Sequence, residues 1–394
     1  MSPQIRPGSH RGRAIIHREA LAHNLRRAKQ LAQGSKVFAV VKGDAYGHGI
    51  ENVVYGLDLT DGLNLADGFA VLDLDEVGII RRRLPNTPVL MLEGAFSKQD
   101  LASFDLNRVW HVVHCTEQVE WLAGYSPSIG WKELPEYFAV IPISYPPQRV
   151  FIKVNTGMNR FGFRPNKVRG VWERLSSLPH VDVAGFMTHF SDSDGSRGID
   201  HQLQVFNDAT RGLPGERTLS NSAAILRHAR VSDVHANWVR AGLMLYGSSP
   251  DYPEHDAGHW DLQPAMSLRA SIIAVQDLEP GDTVGYGSTF TASMPMRIGI
   301  VSCGFADGYP RGCPNGTPML VDGVRAGSVG RGSMDTLVVD LTDLPAAGRG
   351  SEVTLWGRSS RGTVLPLEEV AGAAGLFADL TCGITRRVAR VLEF

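Results

Sequence analysis

Ala39-Val40-Val41-Lys42-Gly43-Asp44-Ala45-Tyr46-Gly47-His48-Gly49 is the stretch from which the fold is read. An apolar, β-branched run ends in a single lysine and breaks at once into glycine-rich chain. That is the pattern of a strand buried on both faces whose C-terminal end opens into a loop. The run 37–42 is the first of eight; the others are 68–74, 88–94, 108–115, 150–155, 181–189, 218–222 and 236–242. Helical spacing fills the gaps. Leu21, Leu25, Ala28 and Ala32 line one face, with Gly34 following as a C-cap, and Val168, Val171, Trp172 and Leu175 line another. Eight parallel strands with intervening helices predict a (β/α)8 TIM-type barrel over residues 14–250. An open doubly wound sheet has the same strand count.

Beyond residue 250 the texture changes to short strands punctuated by turns such as Glu279-Pro280-Gly281-Asp282 and Val321-Asp322-Gly323-Val324. This predicts a mostly β domain over 251–394, with residues 1–13 packed on it. Residues 251–261, rich in His, Asp, Gly and Pro, read as a solvated connector without metal-ligand spacing. Residues 125–148 are long for a barrel unit and read as a surface excursion.

Composition narrows the function. Of 394 residues, 43% are hydrophobic and 20% charged, and Lys+Arg minus Asp+Glu is 39 − 41 = −2. A long disordered chain is excluded, and there is no basic footprint for nucleic acid or an anionic membrane. No apolar run reaches the roughly 18 residues of a membrane-spanning helix, and the first twenty residues lack a secretory core, so a cytoplasmic address is expected. Cys115, Cys303, Cys313 and Cys382 form no Cys-x-x-Cys pair; they read as small buried hydrophobes, with neither a disulfide framework nor a metal site. A small-molecule substrate is the expected partner.

Barrel active sites lie at the C-terminal ends of the strands, where Lys42 stands. There a lysine that loses its proton can form a Schiff base with an aldehyde. A lone lysine beyond a strand is more ordinarily solvated, but other polar groups share its rim. Lys153-Val154-Asn155-Thr156-Gly157-Met158-Asn159-Arg160 closes the fifth run, Met187-Thr188-His189 the sixth, Asn221-Ser222 the seventh and Arg240-Ala241-Gly242 the eighth. Barrels commonly bind phosphate at the loops after strands seven and eight, where Ser222, Gly242 and Leu243 fall.

The string Lys42-Gly43-Asp44-Ala45-Tyr46-Gly47-His48-Gly49 resembles the pyridoxal-phosphate attachment motif of alanine racemases, Lys-Ala-(Asp/Asn)-Ala-Tyr-Gly-His-Gly, departing only at Gly43. The resemblance runs from Ile15 to Val388. It implies a barrel followed by a β domain, pyridoxal phosphate as cofactor, an amino-acid substrate and a homodimer with shared active sites. Lys42 would hold the cofactor, with Tyr46, Asn221, Ser222, Gly242 and Leu243 around its phosphate and Arg240 facing its pyridine nitrogen. Racemisation needs a proton to leave one face of a carbon and return on the other, so two acid/base groups are required. Lys42 would serve one face and Tyr286, in Val284-Gly285-Tyr286-Gly287, the other, entering from the neighbouring subunit. His189 would bond that tyrosine and approach Arg240. Arg160 would hold the substrate carboxylate, Lys153 would position Arg160, and Met334 with Asp335 would reach toward substrate across the interface.

Departures from the family pattern are Asn155 for a frequent aspartate, Phe305 for a tyrosine at the substrate entrance, and Arg386 and Phe377 at positions often tyrosine. The expected reaction is interconversion of L- and D-alanine. A racemase of another or broader set of amino acids is the alternative within enzymes; a non-catalytic pyridoxal-phosphate carrier is the alternative outside them.

Overall fold

The computed structural model describes residues 11–58, 65–127, 130–134, 139–143, 145–231, 233–374 and 377–393. The first ten residues, expected on the β domain, lie outside that set. The chain forms two compact units. One comprises Leu25–Gly43 with Asp58–Gly242; the other comprises Met1–Asn24, Asp44–Leu57 and Leu243–Phe394.

The first unit is the barrel. Its strands are β1 (Lys36–Val40), β2 (Gly68–Val71), β3 (Val89–Met91), β4 (Trp110–Val113), β5 (Gln148–Lys153), β6 (Val181–Met187), β7 (Glu216–Thr218) and β8 (Trp238–Ala241). Each pairs in parallel with the next, and the ring closes where Trp238–Ala241 of β8 lie beside Lys36–Ala39 of β1. Closure removes the open doubly wound alternative. Most of the strands are largely apolar because both faces are covered, as the burial of all four residues of β2 illustrates; β7, Glu216–Thr218, is polar. Local signals set the helices. Asp73 caps Leu74–Arg83 by accepting the Asp75 N–H at 2.8 Å, while Glu76 reaches back to the Asp73 N–H at 3.3 Å, a reciprocal capping box.

Aromatic rings fill the barrel near its N-terminal end. Phe38 of β1 stacks on Trp238 of β8 with centroids 4.0 Å apart, and Trp110 of β4 meets both edge-on at 6.2 and 5.6 Å. Strands β1 and β4 are not neighbours, so these contacts cross the interior. At that end Arg149 lies over Trp110 at 4.7 Å and pairs with Asp182 and Glu216 at 2.7 and 2.9 Å. The excursion between β4 and β5 carries an antiparallel pair, Gly130–Leu134 with Ala139–Ile143.

The second unit is mostly β, as expected. Its sheet runs Val324–Gly327, Pro318–Val321, Glu352–Arg358, Met266–Leu278, Arg13–His17, Ala389–Glu393. Met266–Leu278 bends at an irregularity between Ile272 and Ala274, and beyond the bend it pairs with Met296–Val301. The strand Arg13–His17 thus joins this sheet from the start of the chain, parallel to Ala389–Glu393. Residues 251–261 are largely exposed, as expected of a solvated connector, except at Asp251. Asp251 is buried, and its carboxylate accepts from Ser249 Oγ at 2.9 Å and Trp260 Nε1 at 2.8 Å and faces His255 Nδ1 at 2.8 Å.

If the ring stack fills the barrel, Trp238→Ala should lower stability by about 3–5 kcal/mol, read from the urea midpoint at unchanged slope. A loss below about 1 kcal/mol would mean that the interior closes without it.

Candidate active site

The rim is organised around Arg240, at the C-terminal end of β8 and only 3% exposed. Among the described residues no carboxylate pairs with it. Nη1 donates to Thr218 Oγ1 at 2.7 Å, and Nη2 donates to the carbonyls of Thr188 at 2.7 Å and Leu219 at 2.9 Å. Three neutral acceptors from the ends of β6 and β7 therefore hold a cation. Burial pulls its pKa down to about 9, still above neutrality, so the charge stays.

His189 Nδ1 lies 3.5 Å from Arg240 Nη2. Burial, then the charges of Arg240, Lys153, Arg160 and Lys42, hold this imidazole well below its ordinary pKa, so it is neutral. A guanidinium only donates, which makes Nδ1 the acceptor and leaves the ring proton on Nε2. His189 thus presents an N–H donor on the side away from Arg240.

Lys153, the last residue of β5, is buried. Burial first, then the charges of Arg240, Arg160 and Lys42 against the opposing pull of Glu93, lowers its pKa to about 8. Its Nζ lies 5.2 Å over the Phe161 ring, and the exposed Arg160 guanidinium stands 5.9 Å from the same ring. Asn155 holds the intervening turn, its Oδ1 accepting the N–H groups of Gly157 and Asn159 at 3.1 Å each. Beneath it, Thr156 and Thr188 hydroxyls meet at 2.8 Å and Gln202 donates to Thr156 at 3.2 Å. Sequence reading missed Phe161, Thr188, Thr218 and Glu93. For Phe161 the adjacency to Arg160 was a usable signal, but backbone carbonyls such as that of Thr188 leave none.

Lys42 follows β1 and opens a single helical turn, Lys42–Tyr46, of unusual hand. Gly43, Asp44, Ala45 and Tyr46 have φ of 64, 53, 55 and 52°, a left-handed helix. Each non-glycine residue there costs roughly 1–2 kcal/mol, and three occur in succession. Backbone strain of this kind persists only where surroundings enforce it, and it gathers at functional sites. Tyr46 belongs to the second unit, where its ring packs on Tyr246 at 4.8 Å and burial raises its hydroxyl to a pKa of about 12. It remains a neutral donor.

In the barrel unit, Ser222 begins the helix Ser222–Arg227, and its Oγ accepts the Gly242 N–H at 3.0 Å. Asn221 caps that helix, its Oδ1 accepting from the Ala224 N–H at 3.0 Å and the Ser193 hydroxyl at 2.9 Å. That amide oxygen is engaged within the fold.

The second unit carries Leu243, Tyr286, Met334 and Asp335. Tyr286 lies in the short 3-10 turn Tyr286–Ser288, between Gly285 at φ 78° and Gly287 at φ 76°. The turn lifts its side chain to 64% exposure, and Met334 is 55% exposed. Asp335 is held by Arg387 Nη2 at 2.6 Å and Arg11 Nη1 at 3.5 Å. Phe305 lies beneath Arg311, whose guanidinium is 5.5 Å from its centroid. Of the cysteines, Cys303 is buried as expected, Cys115 and Cys313 are partly so, and Cys382 is exposed, a correction.

A closed parallel barrel with a lysine, an uncompensated arginine and a neutral histidine on one rim, continued by a β sheet, defines a barrel-type pyridoxal-phosphate enzyme. Residues 16–250 match the family described as the alanine racemase N-terminal domain, and residues 265–392 match its C-terminal domain. The chain is 54% identical to the alanine racemase of Methylibium petroleiphilum, over 95% of this chain and 96% of that one. It is 52% identical to that of Acidovorax ebreus, over 96% and 98%. Among solved structures, the biosynthetic alanine racemase from Pseudomonas aeruginosa superposes with a TM-score of 0.86 at 39% identity, covering 98% of this chain and 99% of that one. The chain belongs to the alanine racemase family, whose members are pyridoxal-phosphate-dependent isomerases.

The residues present fit that cofactor. Lys42 would supply the amine for a Schiff base, and Arg240 keeps a fixed charge buried with no carboxylate partner among the described residues. Among the described residues no helix is long and apolar enough to cross a membrane. Asp251, Glu254 and His255 bring potential metal-ligand atoms within 4.8 Å of one another, but Asp251 is occupied by Ser249 and Trp260.

The lowered pKa of Lys153 has a definite sign. Between about pH 8 and 10.5 the unfolded chain holds a proton that the folded one has lost, so this lysine's contribution to stability rises with pH across that window. The stability of the wild type relative to Lys153→Met should therefore increase from pH 8 to 10.5 in parallel denaturant titrations. A difference independent of pH would contradict the shift.

Proposed function

We propose that this chain interconverts L- and D-alanine as a homodimer, with Lys42 of one subunit and Tyr286 of the partner subunit as acid/base groups on opposite faces of the substrate α-carbon. Residues 14–250 would carry the cofactor, and residues 251–394 would supply the second base. The observation that carries the reading is the Arg240–His189 pair, in which a buried cation without a counter-ion fixes a neutral imidazole with its N–H pointing away. Such a donor lowers the cost of a tyrosinate oxygen placed against it. An unassisted tyrosine, with a reference pKa of about 10, is a poor base near neutrality. In its own chain the Tyr286 side chain stands exposed, which suits a group delivered to another subunit.

Pyridoxal phosphate, when bound, supplies the electron-withdrawing ring that acidifies the α-carbon. The other tasks fall to the polypeptide. Lys42 would hold the cofactor aldehyde and, as a free amine, would move a proton to or from one face of the substrate α-carbon. Tyr286 of the partner subunit would move it on the other. Arg240, which offers donors but no proton it can readily give, would leave the pyridine nitrogen unprotonated and so favour proton exchange over amino transfer. Ser222, Gly242, Leu243 and Tyr46 would hold the phosphate, with Asn221 shaping the helix start. Arg160, exposed and without a carboxylate partner among the described residues, would take the substrate carboxylate. Lys153 would orient Arg160 across Phe161, and Met334 and Asp335 of the partner subunit would close the substrate side. A cytoplasmic dimer supplying D-alanine to cell-wall synthesis follows from the same reading.

Broader substrate range is the second reading, and Phe305 favours it by removing a hydroxyl from the entrance. Turnover of serine, lysine and arginine against alanine decides between them; a preference for a long side chain overturns alanine as the substrate.

The central test is exchange of the α-proton in deuterated water. Wild-type enzyme should exchange and racemise alanine, and Lys42→Ala should do neither. Tyr286→Phe should lose about 10²–10⁴ in racemisation while one enantiomer still exchanges. Racemisation at wild-type rate by Tyr286→Phe would remove the second base. Cofactor binding without any exchange by the wild type would establish a carrier instead.

A further inference from the structure

We propose that Arg390 is a positioning residue for the cofactor turn, holding the left-handed conformation of Gly43–Tyr46 through the carbonyl of Gly47. The inference rests on the reading that Lys42 and Tyr46 bind pyridoxal phosphate.

The turn is conformationally costly at Asp44, Ala45 and Tyr46, so something must hold it. Its internal bonds are several. The Gly49 N–H donates to Asp44 O at 2.9 Å, the His48 N–H to Ala45 O at 3.0 Å, and the Ile50 N–H to Asp44 Oδ1 at 2.8 Å. His48 Nδ1 lies 3.0 Å from Tyr46 O. These bonds close the turn on itself and would move with it. What ties it to the body of its unit begins at Gly47, whose φ is 78° and where a Cβ would lie 1.9 Å from the Thr381 carbonyl oxygen. The turn therefore rests directly on the backbone of the helix Phe377–Gly383.

Arg390 locks that seat. It stands in the strand Ala389–Glu393, which pairs along its length with Arg13–His17. Its Nε donates to Gly47 O at 2.7 Å and its Nη2 to Ile384 O at 2.9 Å. Among the described residues it has no carboxylate partner; the guanidinium is spent on two carbonyls, one in the turn and one just beyond the supporting helix. Its charge strengthens both bonds, and the planar fork fixes their direction. The rings of Tyr46 and His48 also pack on Tyr246, at 4.8 and 4.4 Å, but apolar stacking sets no comparable direction. Arg390 lies far along the chain from the motif it supports.

The test compares holoenzymes of wild type, Arg390→Gln and Arg390→Lys. Retention of pyridoxal phosphate is followed by the visible Schiff-base absorbance on serial dilution, with Tm measured alongside. Arg390→Gln should raise the cofactor dissociation constant about tenfold or more, the loss of one hydrogen bond from a charged donor. Arg390→Lys keeps the charge but loses the fork, and should fall between. Unchanged cofactor retention in Arg390→Gln, or a lower Tm with retention unchanged, overturns the proposal. Should Arg390→Gln not fold, Arg390→Lys at wild-type Tm decides: weaker retention supports the role and wild-type retention overturns it. Absorbance in Lys42→Ala identical to that of wild type would instead sink the cofactor reading, independently of Arg390.

Discussion

A guanidinium without a counter-ion is the constraint on which the rim depends. Taking Arg240 out of water is expensive, and its cost is met by Thr218, Thr188 and Leu219 rather than by a carboxylate. A carboxylate would have neutralised the site. Neutral acceptors leave a fixed positive charge, which adds to burial, the larger cause, in keeping His189 deprotonated and lowering Lys153. The three acceptors of Arg240 come from the ends of β6 and β7, which the parallel pairing of these strands sets beside β8.

Large rings from β1, β4 and β8 fill the barrel toward its N-terminal side, while Lys42, Lys153, His189, Ser222 and Arg240 stand at the C-terminal ends of the strands. Strain is placed there as well. The left-handed turn after Lys42 presents a lysine and a tyrosine from one short segment, at a conformational cost that bonds within its own unit offset. Rigidity at the turn and a fixed charge on the rim both reduce the reorganisation that proton transfer would otherwise require.

Much of this was legible in the chain itself. Eight apolar runs with polar residues at their C-terminal ends described the barrel, because parallel strands buried on both faces have few other solutions. The rim residues Lys42, Lys153, His189, Ser222 and Arg240 followed from where those runs stop. What escaped reading has physical reasons. The turn that exposes Tyr286 depends on positive φ at Gly285 and Gly287, which no strand or helix period announces. Asp251 sits in a polar, His-rich segment whose composition does not announce that this one carboxylate is buried and bonded to Ser249 and Trp260. Thr188 and Leu219 act through backbone oxygens, which every residue possesses. Arg390 lies more than three hundred residues from the turn it holds, and no local periodicity connects the two.

Subunit mixing tests most directly the proposed division of the catalytic pair between two polypeptides. Lys42→Ala and Tyr286→Phe proteins, each inactive alone, are unfolded together in equal amounts and refolded, with mixed dimers verified by mass. A mixed dimer has one site with both native groups, so about a quarter of wild-type racemisation should return, since half the dimers are mixed and each restores one of two sites. Mixed dimers that form and remain inactive would contradict the account.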